Sequence, residues 1–192
     1  DSKRTKMIFK KMFSRAWLVT TLLVFAGTAV CVRLGIWQLD RLDQRRIFNA
    51  QVEKMRAESA LDLKSTIPAD LDSLEWRAVL VAGEYDFENQ VVIRNQYNGN
   101  QYGYHIITPL LFDGGAVLVD RGWIPYAAAE NLADFAPPPG EVQVRGILRR
   151  GQTRTSSLAP VDPAPPAGGR LDAWHRADLA RIQAQMPYPL VP

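Results

Sequence analysis

Seventeen consecutive residues, Ala16 to Val32, carry no formal charge, and apart from Arg33 the apolar character persists to Leu39. A helix over residues 16–39 is roughly 36 Å long at 1.5 Å per residue, enough to cross a hydrocarbon core of about 30 Å, so a transmembrane helix is expected here. A cleaved signal peptide is the alternative, and the lack of a small-x-small cleavage site at the end of the run favours a retained anchor over it. Beyond it, "DRLDQRRIFNAQVEKMRAESA" lacks Gly and Pro and spaces Leu42, Ile47, Phe48, Val52 and Met55 as a partly buried helix does. The helix is therefore expected to extend through residues 40–62, and the Pro, Ser and Asp content of residues 63–75 reads as a linker.

From Trp76 the apolar residues fall into short stretches rich in Val, Ile, Tyr and Trp, separated by turn signals. "EWRAVLVAGEY", "FENQVVIRNQ", "YHIITPLLF", "AVLVDRGWI" and "EVQVRGILRR" read as strands, with "YNGNQYG" and "DGG" as hairpin turns. Strands so spaced imply an antiparallel sheet that curls toward a small barrel within residues 76–192. A Pro- and Ser-rich segment over residues 151–169 is expected to be a lid or a docking arm. "DAWHRADLARIQAQM" reads as an amphipathic helix capped by Asp172, and "YPLVP" as a final edge strand. The fold class is thus membrane-anchored α+β: a transmembrane helix extending into a long helix, then a small antiparallel β-barrel-like domain with one late helix.

Charge sharpens this division. The pI of about 9.1 invites a nucleic-acid reading, but residues 1–59 hold 12 Lys+Arg against 5 Asp+Glu and residues 60–192 hold 11 against 15. The basic excess belongs to the N-terminal segment, residues 1–15 above all, and nucleic acid is not an expected partner of the domain. Basic residues before the apolar run place the N-terminus in the cytoplasm, or in the matrix of a mitochondrion, with the domain on the far side.

Candidate chemistry is sparse. Two histidines, His105 and His175, and the single Cys31 give no ligand set for zinc or copper and allow no intramolecular disulfide. No nucleophile elbow, phosphate loop or dinucleotide fingerprint is present, so no enzyme is expected. Two features stand out. Arg33, Trp37, Arg41 and Arg45 recur at i, i+4 and form a cationic stripe broken by one indole. The stripe can hold headgroup phosphates with Trp37 at the membrane interface, or, with Gly35 and Gln38 in the same turn, it can meet another protein. In "VLVDRGWIP", strand alternation puts Arg121 and Trp123 on one face.

"LGIWQLDR" resembles the G-x-W-Q-x-x-R element of the Surfeit locus protein 1 family of cytochrome oxidase assembly factors. "GEY", "GYHIITPL", "VLVDRGWIP" and "RGILR" follow in the order of that family's blocks. By position, Gly35, Trp37, Gln38 and Arg41 match the first block, Gly83 and Tyr85 the second, and Gly103, Tyr104, Thr108 and Pro109 the third. Arg121, Gly122, Trp123 and Pro125 match the fourth, and Gly146, Leu148 and Arg149 the last.

The resemblance implies a protein without catalytic activity of its own, in the bacterial inner (plasma) membrane or the mitochondrial inner membrane. Its N-terminus would be cytoplasmic or in the matrix, with the β domain periplasmic or in the intermembrane space. It implies maturation of cytochrome c oxidase at the haem a and subunit I stage, with subunit I or other oxidase subunits and the lipid bilayer as partners. Trp37, Gln38 and Arg41 are expected to dock on the oxidase, and Arg33 or Arg41 to offset haem propionate charge. A second transmembrane helix is expected beyond residue 192, near the family's natural haem-ligating histidine. No resident cofactor is therefore assigned to this chain, and haem a enters at most transiently. A permanent accessory subunit of an oxidase or supercomplex stays open as the alternative, with a membrane-lipid enzyme as the third reading.

Overall fold

The structure, a computed structural model, describes residues 15–64, 67–68, 70–113, 115–153, 156, 159–165 and 169–191. The basic segment expected over residues 1–15 lies outside these except for Arg15. The chain divides into two compact units, Asp1–Glu53 and Lys54–Pro192.

The described part of the first unit is one helix, α1 (Arg15–Ala57), whose last residues belong to the second. At 1.5 Å per residue its 43 residues span about 65 Å. Among the described residues it is the one helix long and apolar enough to cross a membrane. It ends at Ala57 rather than at residue 62. The chain beyond turns into a short strand, β1 (Leu61–Asp62), which pairs in parallel with the next, and Leu63 is then driven into the sheet's core at 2% exposure. Burying Leu63 outweighs another helical turn, which would leave it in water.

In the second unit the main strands are β2 (Ala78–Tyr85), β3 (Val91–Asn98), β4 (Gln101–Phe112), β5 (Gly115–Pro125) and β6 (Glu141–Ile147). Hydrogen bonding runs β1-β2-β4-β3-β7, where β7 is Ala173–Trp174, with β5 added on β4 and β6 on β2. The framework is antiparallel as the turn signals require. The two short pairings, β1 with β2 and β3 with β7, are parallel and make the sheet mixed. Asn98 pairs with Gln101 across a two-residue turn where Gly99 has a φ of 60°, the left-handed conformation that such a turn needs.

β4 is the central plank, with a core on each side. One face meets Leu63, Leu71, Val81, Leu110 and Val191; the other meets Val91, Ile93, Ile107, Trp174 and Ile182. Both faces being covered explains why "IITPLL" is apolar without alternation.

The late helix is shorter than the sequence pattern implies. Ala173 and Trp174 extend to pair with Val92 and Ile93, leaving α2 (Leu179–Gln183), and the cap is Asp178, which accepts from Arg181 N–H, rather than Asp172. Trp174, 1% exposed, is placed in the core by the strand, with its indole N–H donating to Leu171 O at 2.8 Å. "YPLVP" contributes a single bridge, Ala116 with Leu190, in place of an edge strand. The described part of the 151–169 segment is fastened rather than free. Asp162 is buried, accepts from His175 N–H at 2.7 Å and lies 3.9 Å from Arg181.

Candidate functional site

The residues marked in the fourth block surround a fault in the sheet. Ile106 pairs with Gly122 but Ile107 pairs with Asp120, so Arg121 is an extra residue in a β-bulge. Gly122 supplies the φ of 118° and donates its N–H to Asp120 Oδ1 at 2.9 Å. On the opposite edge of β4, Arg94 and Asn95 together oppose Tyr104 in a second bulge, with Asn95 at a φ of 63°. Each bulge puts an arginine out of register: Arg94 turns to donate to Ala173 O, and Arg121 turns into the sheet's interior.

The bulge corrects the expectation that Arg121 and Trp123 share a face. Arg121 Nη1 donates to Phe135 O at 2.7 Å and to Gln90 Oε1 at 3.3 Å, and its guanidinium lies 5.5 Å from the Tyr85 ring centre. Gln90 Oε1 also accepts from Thr108 Oγ1 at 2.8 Å, so Arg121 belongs to the face of Thr108. Trp123 pairs with His105, three residues from Thr108 and therefore on the other face, and its ring covers Gly103. His105 Nδ1 is 2.8 Å from Asp120 Oδ2, a partly exposed pair that fixes the ring.

Arg121, Thr108, Tyr85 and Gln90 form one largely buried polar cluster in which the guanidinium has no carboxylate partner among the described residues. Burial holds the Tyr85 hydroxyl above its ordinary value, and the Arg121 charge draws it partly back. Gln90 is the member that sequence reasoning missed, because a glutamine between a turn and a strand carries no signal of its own. The "DRG" bulge did leave one: an Asp whose side chain can reach the N–H two residues on, with Gly at that position.

Other marked residues are structural contacts. A Cβ on Gly83 would sit 2.1 Å from Leu111 O, and one on Gly103 would sit 2.1 Å from Ile124 O and 2.6 Å from the Trp123 ring. Pro109 is buried, and its carbonyl accepts from Asp86 N–H at 2.9 Å. Pro125 ends β5 and opens the 3-10 segment Tyr126–Phe135. Tyr104 stacks at 5.6 Å on Tyr126, and burial together with neighbouring Tyr126 and Tyr102 holds its hydroxyl above the ordinary value. Leu148 exchanges backbone bonds with Trp76 and Arg77, and Arg149 covers the Trp76 ring at 3.8 Å while pairing with Glu75. Gly146 has open space where a Cβ would be.

Arg33, Gly35, Trp37, Gln38 and Arg41 all lie exposed on α1. Trp37 is 57% exposed, a Cβ at Gly35 would meet open space beyond its own helix, and among the described residues Arg41 donates to Gln44 alone, at 3.3 Å. The local helix therefore presents an indole, an amide and a guanidinium with a small-residue notch beside them. Among the described residues no three His, Cys, Asp or Glu side chains gather where a metal ion could be held.

These features define an α+β protein with a long apolar helix and a mixed sheet, whose marked residues serve backbone fit, a buried polar cluster and an exposed helical block. The profile of the SURF1 family matches residues 25–192, and the chain belongs to that family. An uncharacterized SURF1-like protein of Mycobacterium tuberculosis is 29% identical over 154 residues, 77% of this chain and 55% of its own length. A SURF1-like protein of Monosiga brevicollis is 30% identical over 143 residues, 68% of this chain and 54% of its own length. The cytochrome oxidase assembly protein SHY1 of Saccharomyces cerevisiae is 28% identical over 127 residues, 65% of this chain and 31% of its own length. The chain spans about half the length of the first two relatives.

Proposed function

We propose that this protein is a non-enzymatic assembly factor for cytochrome oxidase, held in the inner membrane by α1, with its N-terminus cytoplasmic or in the matrix and its sheet on the far side. The observation that carries the reading is the exposed block Gly35, Trp37, Gln38 and Arg41 within the span that matches the family. A solitary anchor gains nothing from a glycine and an amide in one turn, whereas a helix that meets another uses the first for close approach and the second for a directed hydrogen bond. Similarity to the yeast cytochrome oxidase assembly protein names the class of client.

In this reading Trp37, Gln38 and Arg41 dock on an oxidase subunit, subunit I first, during insertion of haem a. Arg33 or Arg41 offsets propionate charge, since a guanidinium matches a carboxylate with two parallel bonds. Haem a is handled transiently. The test is a strain carrying Arg41→Ala, with haem a content and oxidase activity measured in its membranes. Both are expected to fall together while the variant protein stays at normal abundance; unchanged values overturn the role of Arg41. Retention of the protein in stoichiometric amount in mature oxidase would favour a permanent subunit instead.

A further inference from the structure

Strand β6 separates two unlike spaces. On its inner side lies a largely apolar cavity of about 200 Å³, with Val79, Val119, Val144 and Leu148 in its wall alongside Asp120 and Arg149. Outside is a pocket of about 380 Å³ lined by Arg56, Trp76, Ala78, Arg145, Gly146 and Ile147. Gly146 and Ile147 line both. Along β6 the partly buried residues Val142, Val144 and Gly146 alternate with the exposed Gln143, Arg145 and Ile147, so Gly146 is the place in the inward row where no side chain stands. Among the described residues β6 pairs with β2 alone, which leaves its other edge open beside this gap.

The outer pocket is cationic. Glu75 is taken by Arg149 at 3.4 Å and by Arg150 at 3.5 Å, while Arg56 and Arg145 have neither an ion pair nor a side-chain hydrogen bond among the described residues. Trp76 is held at a φ of 77°, a conformation strained for a bulky side chain, with its N–H bonded to Leu148 O and its ring stacked beneath Arg149. Two uncommitted guanidiniums beside a fixed indole suit an oxyanion. A cavity just past the edge of the same strand, walled mainly by Val and Leu side chains, suits a hydrocarbon chain.

We propose that the β6 edge binds an anionic single-chain amphiphile. Arg56 and Arg145 hold its carboxylate or phosphate head beside Trp76, and its chain passes Gly146 into the inner cavity. The site is independent of the α1 block and of the client proposed above.

The test uses the full chain in nanodiscs of zwitterionic lipid, with empty nanodiscs as the blank, titrated calorimetrically with octyl phosphate, octanoate, inorganic phosphate and 1-octanol. Saturable binding of octyl phosphate or octanoate at least about tenfold tighter than that of inorganic phosphate or octanol is expected, because only the amphiphiles use both spaces. Which of the two binds tighter tells a phosphate head from a carboxylate head. Arg145→Gln should weaken amphiphile binding about tenfold, the loss expected for a charge-assisted contact. Gly146→Leu should weaken it similarly without changing inorganic phosphate binding. Should Gly146→Leu fail to fold, the exposed pair Arg56→Gln and Arg145→Gln carries the decision. Equal binding of octyl phosphate and inorganic phosphate, or full binding by the arginine variants, overturns the proposal.

Discussion

Tyr188 donates its hydroxyl to Asp86 Oδ2 at 2.7 Å across 102 residues of sequence, tying the end of the described chain to the turn after β2. Burial, then the bond to Asp86 and its charge, hold the Tyr188 proton far above the ordinary 10.0. For Asp86 burial acts upward, but the hydrogen bonds from Asn89, Tyr188 and the backbone outweigh it and leave the carboxyl below its ordinary 3.8. Tyr188→Phe should cost about 1 kcal/mol at neutral pH, the usual worth of such a bond when partly exposed. The raised tyrosine contributes fully below pH about 10 and loses its contribution as pH rises through the folded value. The lowered carboxyl contributes fully above pH about 4 and loses its contribution as pH falls through its own. Unfolding curves of wild type and Tyr188→Phe across pH should therefore show a constant gap between these limits that narrows at both ends.

Gly83 and Gly103 are demanded by backbone contact, and Gly146 is not. Gly83→Ala and Gly103→Ala each set a methyl 2.1 Å from a carbonyl oxygen of the neighbouring strand, so the strands must part. A loss of about 3 kcal/mol is expected from overpacking where backbone cannot yield. Gly146→Ala, with open space around it, should change stability by less than about 1 kcal/mol. Thermal unfolding followed by near-UV circular dichroism orders the three.

Gln90 accepts from both Thr108 and Arg121, which makes the cluster a coupled unit. Thr108→Val should cost about 1–2 kcal/mol, and Arg121→Gln about 2–3 kcal/mol because Phe135 O also loses its donor. Since the two share one acceptor, the double variant should differ from the sum by more than about 0.5 kcal/mol. Strict additivity in a double-mutant cycle would contradict the shared role of Gln90.

Residues whose environment is local could be read from the chain alone. β2 to β6 follow from apolar stretches closed by Gly, Asn and Asp, and the long helix follows from the sixty-seven residues that precede the first proline, Pro68. What escaped depends on contacts between distant segments. Trp174 fits an amphipathic helix until β3, some eighty residues earlier, offers it a parallel edge and a core. Asp162 looks like loop solvation until His175 and Arg181 arrive to bury it. The Arg121 bulge reverses the face of one side chain because a period of two holds only while the register is unbroken. Three of the glycines marked by resemblance have their reason in the structure: at Gly83 and Gly103 there is no room, and at Gly122 the backbone has a positive φ.

The central claim, that the α1 block is a docking surface for an oxidase under assembly, is tested most directly by purifying the full-length protein in mild detergent and identifying its partners by mass spectrometry, with a reduced-minus-oxidised spectrum of the eluate. Wild-type protein should carry oxidase subunit I with substoichiometric haem a, and Trp37→Ala with Arg41→Ala should lose both while remaining in the membrane. An eluate from the wild type with neither would contradict the account and leave residues 33–41 as a membrane anchor.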